Sequence, residues 1–195
     1  MEIETIFSGP CDNNTYLVMD NDKAVLIDAA CSVEQINKCL GERKLVAVFL
    51  THGHYDHVAN LDEIVEKFKV KVYATKECFD KLNNAETNCC NVFGLVYKTR
   101  LTGFDFSFVK NDDCLDFIDD YPICVYQTPG HTDCGVCLKF GQEILFSGDT
   151  IFYGTYGRTD LPTGSSKKLR ESLKMISETF SGFTIYPGHG REFVL

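Results

Sequence analysis

Leu45-Val46-Ala47-Val48-Phe49-Leu50-Thr51-His52-Gly53-His54-Tyr55-Asp56-His57 joins an unbroken apolar run to a crowd of metal-binding side chains. The run Leu45 to Leu50 has no polar interruption, the mark of a strand covered on both faces. It ends in His52-Gly53-His54-Tyr55-Asp56-His57, which puts three imidazoles and a carboxylate within six residues. Leu61, Ile64, Val65 and Phe68 then recur at helical spacing, with Glu63, Glu66 and Lys67 on the opposite side. Val70 to Ala74 reads as strand again. Strand, loop, helix, strand is a βαβ unit, and the histidines occupy the loop that leaves a buried strand.

Upstream, Ile3 to Phe7, Thr15 to Met19 and Lys23 to Ile27 are short β-rich runs, with a tight-hairpin signal at Asn21-Asp22. Ser32 and Gln35 have capping-box spacing ahead of an apolar stripe of Ile36, Cys39 and Leu40, which Gly41 closes. Downstream, a helix is expected near Lys76 to Asn83, and the remainder to Gly103 reads as helix or packed loop. Phe104 to Val109, Cys114 to Ile118, Ile123 to Gln127, Val136 to Phe140 and Glu143 to Phe146 are strand candidates. Ser165 to Phe180 is an amphipathic helix with Leu169, Leu173, Ile176 and Phe180 apolar, and Thr184-Ile185-Tyr186 is a last strand. The class is α/β in a single domain over residues 1–195. Two face-to-face sheets with helices outside would bury these runs; a single helix-covered sheet fits the periodicity equally.

Across 195 residues the net charge is −9 and the sequence pI about 5.0, which argues against nucleic acid or an anionic membrane as a general partner. Charge leaves a small-molecule substrate as the expected partner and says nothing of oligomeric state. No run approaches the roughly 20 apolar residues that span a bilayer, and Met1-Glu2-Ile3-Glu4 lacks the basic start of a signal peptide, so a cytoplasmic location is expected. The ten cysteines are scattered, which favours free thiols over a disulfide framework. Cys134-Gly135-Val136-Cys137 runs into strand sequence and not into a helix start, which disfavours a redox or zinc role.

His52 and His54, two apart, can reach toward one ion; the adjacent Asp56 and His57 diverge and suit a second. Gly53 permits the tight backbone turn between them. The two remaining histidines also sit in loops after strands, His131 in Thr128-Pro129-Gly130-His131-Thr132 and His189 in Tyr186-Pro187-Gly188-His189-Gly190. Asp149, in Phe146-Ser147-Gly148-Asp149-Thr150, ends another strand, where a carboxylate can bridge two ions. Imidazole nitrogen and carboxylate oxygen suit zinc, with iron or manganese as alternatives.

The succession H-x-H-x-D-H, a loop histidine, a strand-end aspartate and a final G-H resembles the metallo-β-lactamase superfamily over Asp28 to His189. The resemblance implies an αββα sandwich of two mixed β-sheets flanked by helices, with the metals at one edge. It assigns His52, His54 and His131 to a first metal, Asp56, His57 and His189 to a second, Asp149 to the bridge, and Asp28 to bracing the ligand loop. The β-lactamases of the family carry cysteine where this chain has Asp149, and the flavodiiron oxidoreductases an acid in place of His54, so both activities are disfavoured. Thr155-Tyr156-Gly157-Arg158-Thr159-Asp160-Leu161-Pro162 is similar to a loop of small glyoxalase II-like hydrolases, and persulfide dioxygenases share its G-R-T-D core. Full glyoxalase II enzymes add a C-terminal helical domain that supplies glutathione contacts; with six residues following His189, that domain is not expected here.

The implied activity is metal-dependent hydrolysis of a small thioester such as an S-acylglutathione. A water shared by two divalent ions would ionise near about pH 7 and attack the carbonyl, with Asp56 orienting it. Alternatives are a mononuclear iron persulfide dioxygenase and a hydrolase of another ester or lactone. Tyr153 and Tyr156 are candidates to line the pocket. Arg158 would either clamp a substrate carboxylate or pair with Asp160 to hold its own loop.

Overall fold

The computed structural model of the chain describes residues 1–8, 11–95 and 104–195. The part of the Lys76 to Gly103 expectation falling on 96–103 lies outside the described residues.

The short β-rich runs at the N-terminus pair as an antiparallel meander of β1 (Glu2–Ser8), β2 (Asn13–Asp20) and β3 (Lys23–Ile27). Asn21 turns the second hairpin at φ 50, a left-handed conformation that asparagine tolerates well. In α1 (Val33–Leu40), Ser32 and Gln35 form the capping box expected of them. The apolar run becomes β4 (Lys44–Phe49), parallel to β3. After α2 (Tyr55–Val58), the crossover helix α3 (Leu61–Phe68) leads into β5 (Lys71–Ala74), parallel to β4. The βαβ unit therefore forms as its spacing required. α4 (Lys76–Lys81) and a 3-10 turn (Cys90–Phe93) follow, and β6 (Phe106–Phe108) completes a six-stranded sheet in the order β1-β2-β3-β4-β5-β6.

The second sheet runs β14-β13-β10-β9-β8-β7. Its strands are β7 (Cys114–Leu115), β8 (Ile123–Gln127), β9 (Val136–Phe140), β10 (Ile144–Gly148), β13 (Thr184–Pro187) and β14 (Phe193–Val194). A small hairpin, β11 (Ile151–Phe152) and β12 (Thr155–Tyr156), and the helix α5 (Ser166–Thr179) intervene between β10 and β13. Neither this hairpin nor β14 was anticipated; each strand is two residues long, too short for an alternation signal. The strand expected over Cys114 to Ile118 stops at Leu115, because the chain turns through Asp119-Asp120, with Asp120 at φ 65.

Alternating side chains sort the sheets into layers. Val18, Val25 and Phe49 face Val125, Leu138 and Phe146 across the inter-sheet core. The outer face of the first sheet, with Leu17, Leu26 and Val48, buries Ile36 of α1 and Leu61 and Ile64 of α3. Leu145 and Ile185 on the outer face of the second bury Ile176 and Phe180 beside α5. The result is an αββα sandwich. At about 1.5–3 kcal/mol per fully buried large side chain, residues such as Phe49 and Phe146 dominate what holds the sheets together.

Cys114 and Cys124 stand directly opposite each other on β7 and β8 and are joined as a disulfide, which corrects the expectation of thiols throughout; the other eight cysteines form no disulfide. A hairpin register, invisible in the spacing of cysteines, brings the pair together. Cys134 packs in the outer cluster of the first sheet and Cys137 in that of the second, so the C-x-x-C straddles the sandwich and is not a pair. Among the described residues, no helix is long and apolar enough to cross a membrane.

Candidate metal centre

Strand direction gathers the site. Parallel β3 and β4 send their carboxyl ends the same way, delivering Asp28 and then His52 and His54. In the second sheet β10 is parallel to β13, and β9 is antiparallel to both β10 and β8. The carboxyl ends of β8, β10 and β13 therefore also share one edge, and they carry His131, Asp149 and His189. Backbone bonds clamp the two edges together, Val136 N to Thr51 O at 2.9 Å and Asn14 N to Gly188 O at 2.7 Å. α2 starts directly after His54 and supplies Asp56 and His57.

All seven side chains converge. His52, His54 and His131 form one group, Asp56, His57 and His189 another, and His52, His57 and Asp149 a third between them, the donor atoms within each lying within 4.8 Å of one another. Asp149 is central: its carboxylate oxygens lie 3.3 Å from His57 Nε2, 3.4 Å from His131 Nε2 and 3.5 Å from His189 Nε2.

The outward-facing nitrogens are spoken for. His57 Nδ1 lies 2.7 Å from Asp28 Oδ2, His131 Nδ1 2.8 Å from the Arg158 carbonyl and His189 Nδ1 3.1 Å from the Cys11 carbonyl. These partners only accept, so the proton resides on Nδ1 and the Nε2 lone pair faces the site. The Thr51 hydroxyl donates to Asp28 at 2.9 Å, which leaves its oxygen to accept from His52 Nδ1 at 3.0 Å. Asp28, itself 2% exposed, thus orients His57 directly and His52 through Thr51. Among the described residues, His52 Nε2, His54 Nε2, His57 Nε2 and Asp149 Oδ1 are buried without a hydrogen-bond partner. His52, His57 and Asp149 belong to one donor group, and their unpartnered atoms would each be costly unless a cation satisfied them. The nitrogen–nitrogen approach of His54 Nδ1 and His131 Nε2, 2.9 Å, also suits two lone pairs aimed at a common cation. The residues present fit divalent metal.

The electrostatics divide the site in two. Burial, reinforced by the imidazoles of His57 and His54, pushes His52 well below its usual range; burial and then His131 push His54 down to about 3. Both are neutral donors, as metal ligation requires. Burial also acts to lower His57, but the carboxylates of Asp149, Asp28 and Asp56 outweigh it and raise this imidazole well above its usual range. His189 is raised to about 9, its burial overcome by hydrogen bonds to Asp149 and Asp56. Burial acts to raise Asp149, yet His57 and His189 hold it well below the ordinary carboxylate range.

Gly188 makes this closeness feasible. A Cβ there would fall 2.1 Å from Asp149 Oδ1 and 2.8 Å from His57 Cε1. Gly188→Ala is therefore expected to push the Asp149 carboxylate aside and reduce turnover about a hundredfold, the scale of an ångström-sized misplacement. Metal content per chain, measured beside thermal melting, would separate loss of ligand geometry from unfolding.

A cleft of about 350 Å³ opens over the ligands, with Val92, Phe152 and Leu161 among its walls. Arg158 reaches it, and its guanidinium is forked onto Asp160 with two contacts of 2.7 Å. Tyr153 lies in an adjoining recess shared with Phe152 and His189, whereas Tyr156 is 60% exposed and outside the cleft lining. Sequence reasoning missed Thr51 and Asn14. Asn14 donates to the carbonyls of Pro187 and Gly190 at 2.9 and 2.8 Å and so anchors the His189 loop. Its signal was a pair of asparagines opening an otherwise apolar strand.

The sequence model described as the metallo-beta-lactamase superfamily matches residues 8–189. A probable metallo-hydrolase of Streptococcus pyogenes is 29% identical over 97% of this chain and 84% of its own length. Hydroxyacylglutathione hydrolase GloC of Haemophilus influenzae is 28% identical over 97% of this chain and 91% of its own. Among solved structures, the B3 metallo-beta-lactamase BLEG-1 superposes with a TM-score of 0.90 at 26% identity, covering 99% of this chain and 94% of its own. TTHA1623 in a di-iron-bound form gives a TM-score of 0.84 at 28% identity, over 98% and 94%.

Proposed function

Since this chain belongs to the metallo-beta-lactamase superfamily and is a metal-dependent hydrolase of it, we propose that it hydrolyses a small thioester, such as an S-acylglutathione, at a centre of two divalent ions. The observation that carries the reading is the pair of donor triads flanking Asp149, with His52 Nε2, His57 Nε2 and Asp149 Oδ1 buried and without a hydrogen-bond partner among the described residues. His52, His54 and His131 would hold one ion and Asp56, His57 and His189 the other, with Asp149 between them. The likeness to a hydroxyacylglutathione hydrolase supports the substrate class, and the likeness to a di-iron-bound structure supports the ion count.

Divalent ions in these positions supply Lewis acidity and lower the pKa of a water from about 15.7 toward about 7. The chain's own residues do the rest. Asp56 accepts a hydrogen bond from the attacking water and orients it. Asp28 and the Arg158 and Cys11 carbonyls keep the imidazole protons on the outer nitrogens, so none is misdirected into the site. Val92, Phe152 and Leu161 shed water from the cleft, which strengthens every electrostatic contact within it. A thiolate leaves without a general acid, because thiols ionise near about pH 8.5.

Metal content on freshly purified protein, paired with lactoylglutathione hydrolysis, is the test. Two ions per chain, zinc in the first instance, with turnover abolished by chelation and restored by metal, is the expected result. Uptake should tighten as pH rises toward 9, since a proton on His189 competes with the ion below its raised value of about 9. One iron per chain with oxygen uptake on a persulfide would overturn the chemistry. Hydrolysis of a β-lactam without thioester turnover would overturn the substrate class.

A further inference from the structure

Past His189 the chain bends at Gly190, φ 78, and lays Arg191 across the ring of Tyr153, the guanidinium carbon 3.8 Å from the ring centroid. The Tyr153 ring meets Phe193 on another side, with centroids 6.0 Å apart. Arg191, Tyr153, Thr155 and Gly190 line a recess of about 320 Å³. Phe152 and His189 line both this recess and the metal cleft, so the two adjoin.

Arg191 differs from the other cation of the cleft. Arg158 is neutralised by its fork onto Asp160, whereas Arg191 is exposed and, among the described residues, makes no ion pair. Stacking on an aromatic face holds the guanidinium plane while leaving its N–H edge free, the edge that matches a carboxylate in two parallel bonds. A free, oriented arginine beside a cleft in a chain of net charge −9 is a place where an anion gains and a neutral group does not.

We infer that the Arg191–Tyr153 recess is the subsite for a carboxylate of the substrate, so that the enzyme selects acidic thioesters over neutral ones. The inference rests on the hydrolase reading above for the identity of the substrate, but its binding half is testable alone. S-methylglutathione, a thioether that cannot be hydrolysed at sulfur, and its diethyl ester would be titrated calorimetrically into the metal-loaded chain. The acid should bind about tenfold to a hundredfold tighter than the ester, the scale of a hydrogen-bonded charge. Arg191→Gln should erase that ratio and Arg191→Lys keep part of it; the side chain is exposed, so both variants should melt like the parent. With lactoylglutathione, Arg191→Gln should raise KM and leave kcat unchanged, and it should not affect the diethyl ester as substrate. An acid-to-ester ratio unchanged in the glutamine variant, an equal loss on both ligands, or no preference in the parent, weak binding included, would overturn the subsite. Intact acid selectivity without thioester turnover would instead remove the thioester reading and leave the subsite standing.

Discussion

On replacement of Asp149 with alanine, bound metal should fall below two ions per chain and thioester turnover by about a thousandfold or more, the several kcal/mol that a metal centre contributes to the transition state. Asp149 is the carboxylate within 3.5 Å of three imidazoles, and these come from α2, the loop after β8 and the loop after β13. Its negative charge also raises His57 and His189, though burial acts in the other direction on both. On the two-ion reading proposed above, removing it would leave the donor triads facing each other with no shared anion between them. Asp149→Asn sharpens the test, because it preserves size and one oxygen while deleting the charge. Should the asparagine variant retain two ions by elemental analysis and turnover within tenfold of the parent, the bridging role would be wrong.

Asp28 should be the costliest position that touches no ion. It accepts from the Thr51 amide at 2.8 Å, the Thr51 hydroxyl at 2.9 Å and His57 Nδ1 at 2.7 Å, all within the buried interior. Asp28→Ala strands these donors at about 1–3 kcal/mol each and forces alanine into φ 63. With partial rehydration, a loss of about 3–5 kcal/mol in stability is expected, and metal affinity should drop about tenfold to a hundredfold as the rings of His57 and His52 come loose. Asp28→Gly relieves the backbone without restoring the acceptors, so it should recover a minor part of the stability and none of the affinity. Chemical unfolding in chelator and metal titration at fixed pH would read the two effects apart. An Asp28→Ala variant with unchanged metal affinity would show that the ligand loop holds its geometry without this carboxylate.

The donors were legible because each is a local event. A buried strand ends, a short loop follows, and a histidine or aspartate sits in it; that pattern recurs at His52, His131, Asp149 and His189 and needs no knowledge of distant residues. The capping box at Ser32 and Gln35, the hairpin at Asn21 and the crossover from β4 to β5 are local in the same sense. The resemblance added the pairing of sheets that periodicity left open, and the observed order of strands agrees with it. The Cys114–Cys124 bond escaped notice because only the register of β7 on β8 puts those two residues opposite each other.

By itself, then, the sequence determined the class of chemistry and its position at strand ends, because ligand type and chain direction are properties of short segments. Only the tertiary structure decided that Asp28 reaches His52 through Thr51, that Asn14 ties down a loop 173 residues away, and that Arg158 pairs with Asp160 while Arg191, without an ion pair among the described residues, lies over Tyr153. Those outcomes depend on how the inter-sheet core of Phe49, Phe146 and their neighbours docks one sheet on the other. Docking brings together side chains far apart in the chain, and no short-range pattern of residues encodes the distances that result.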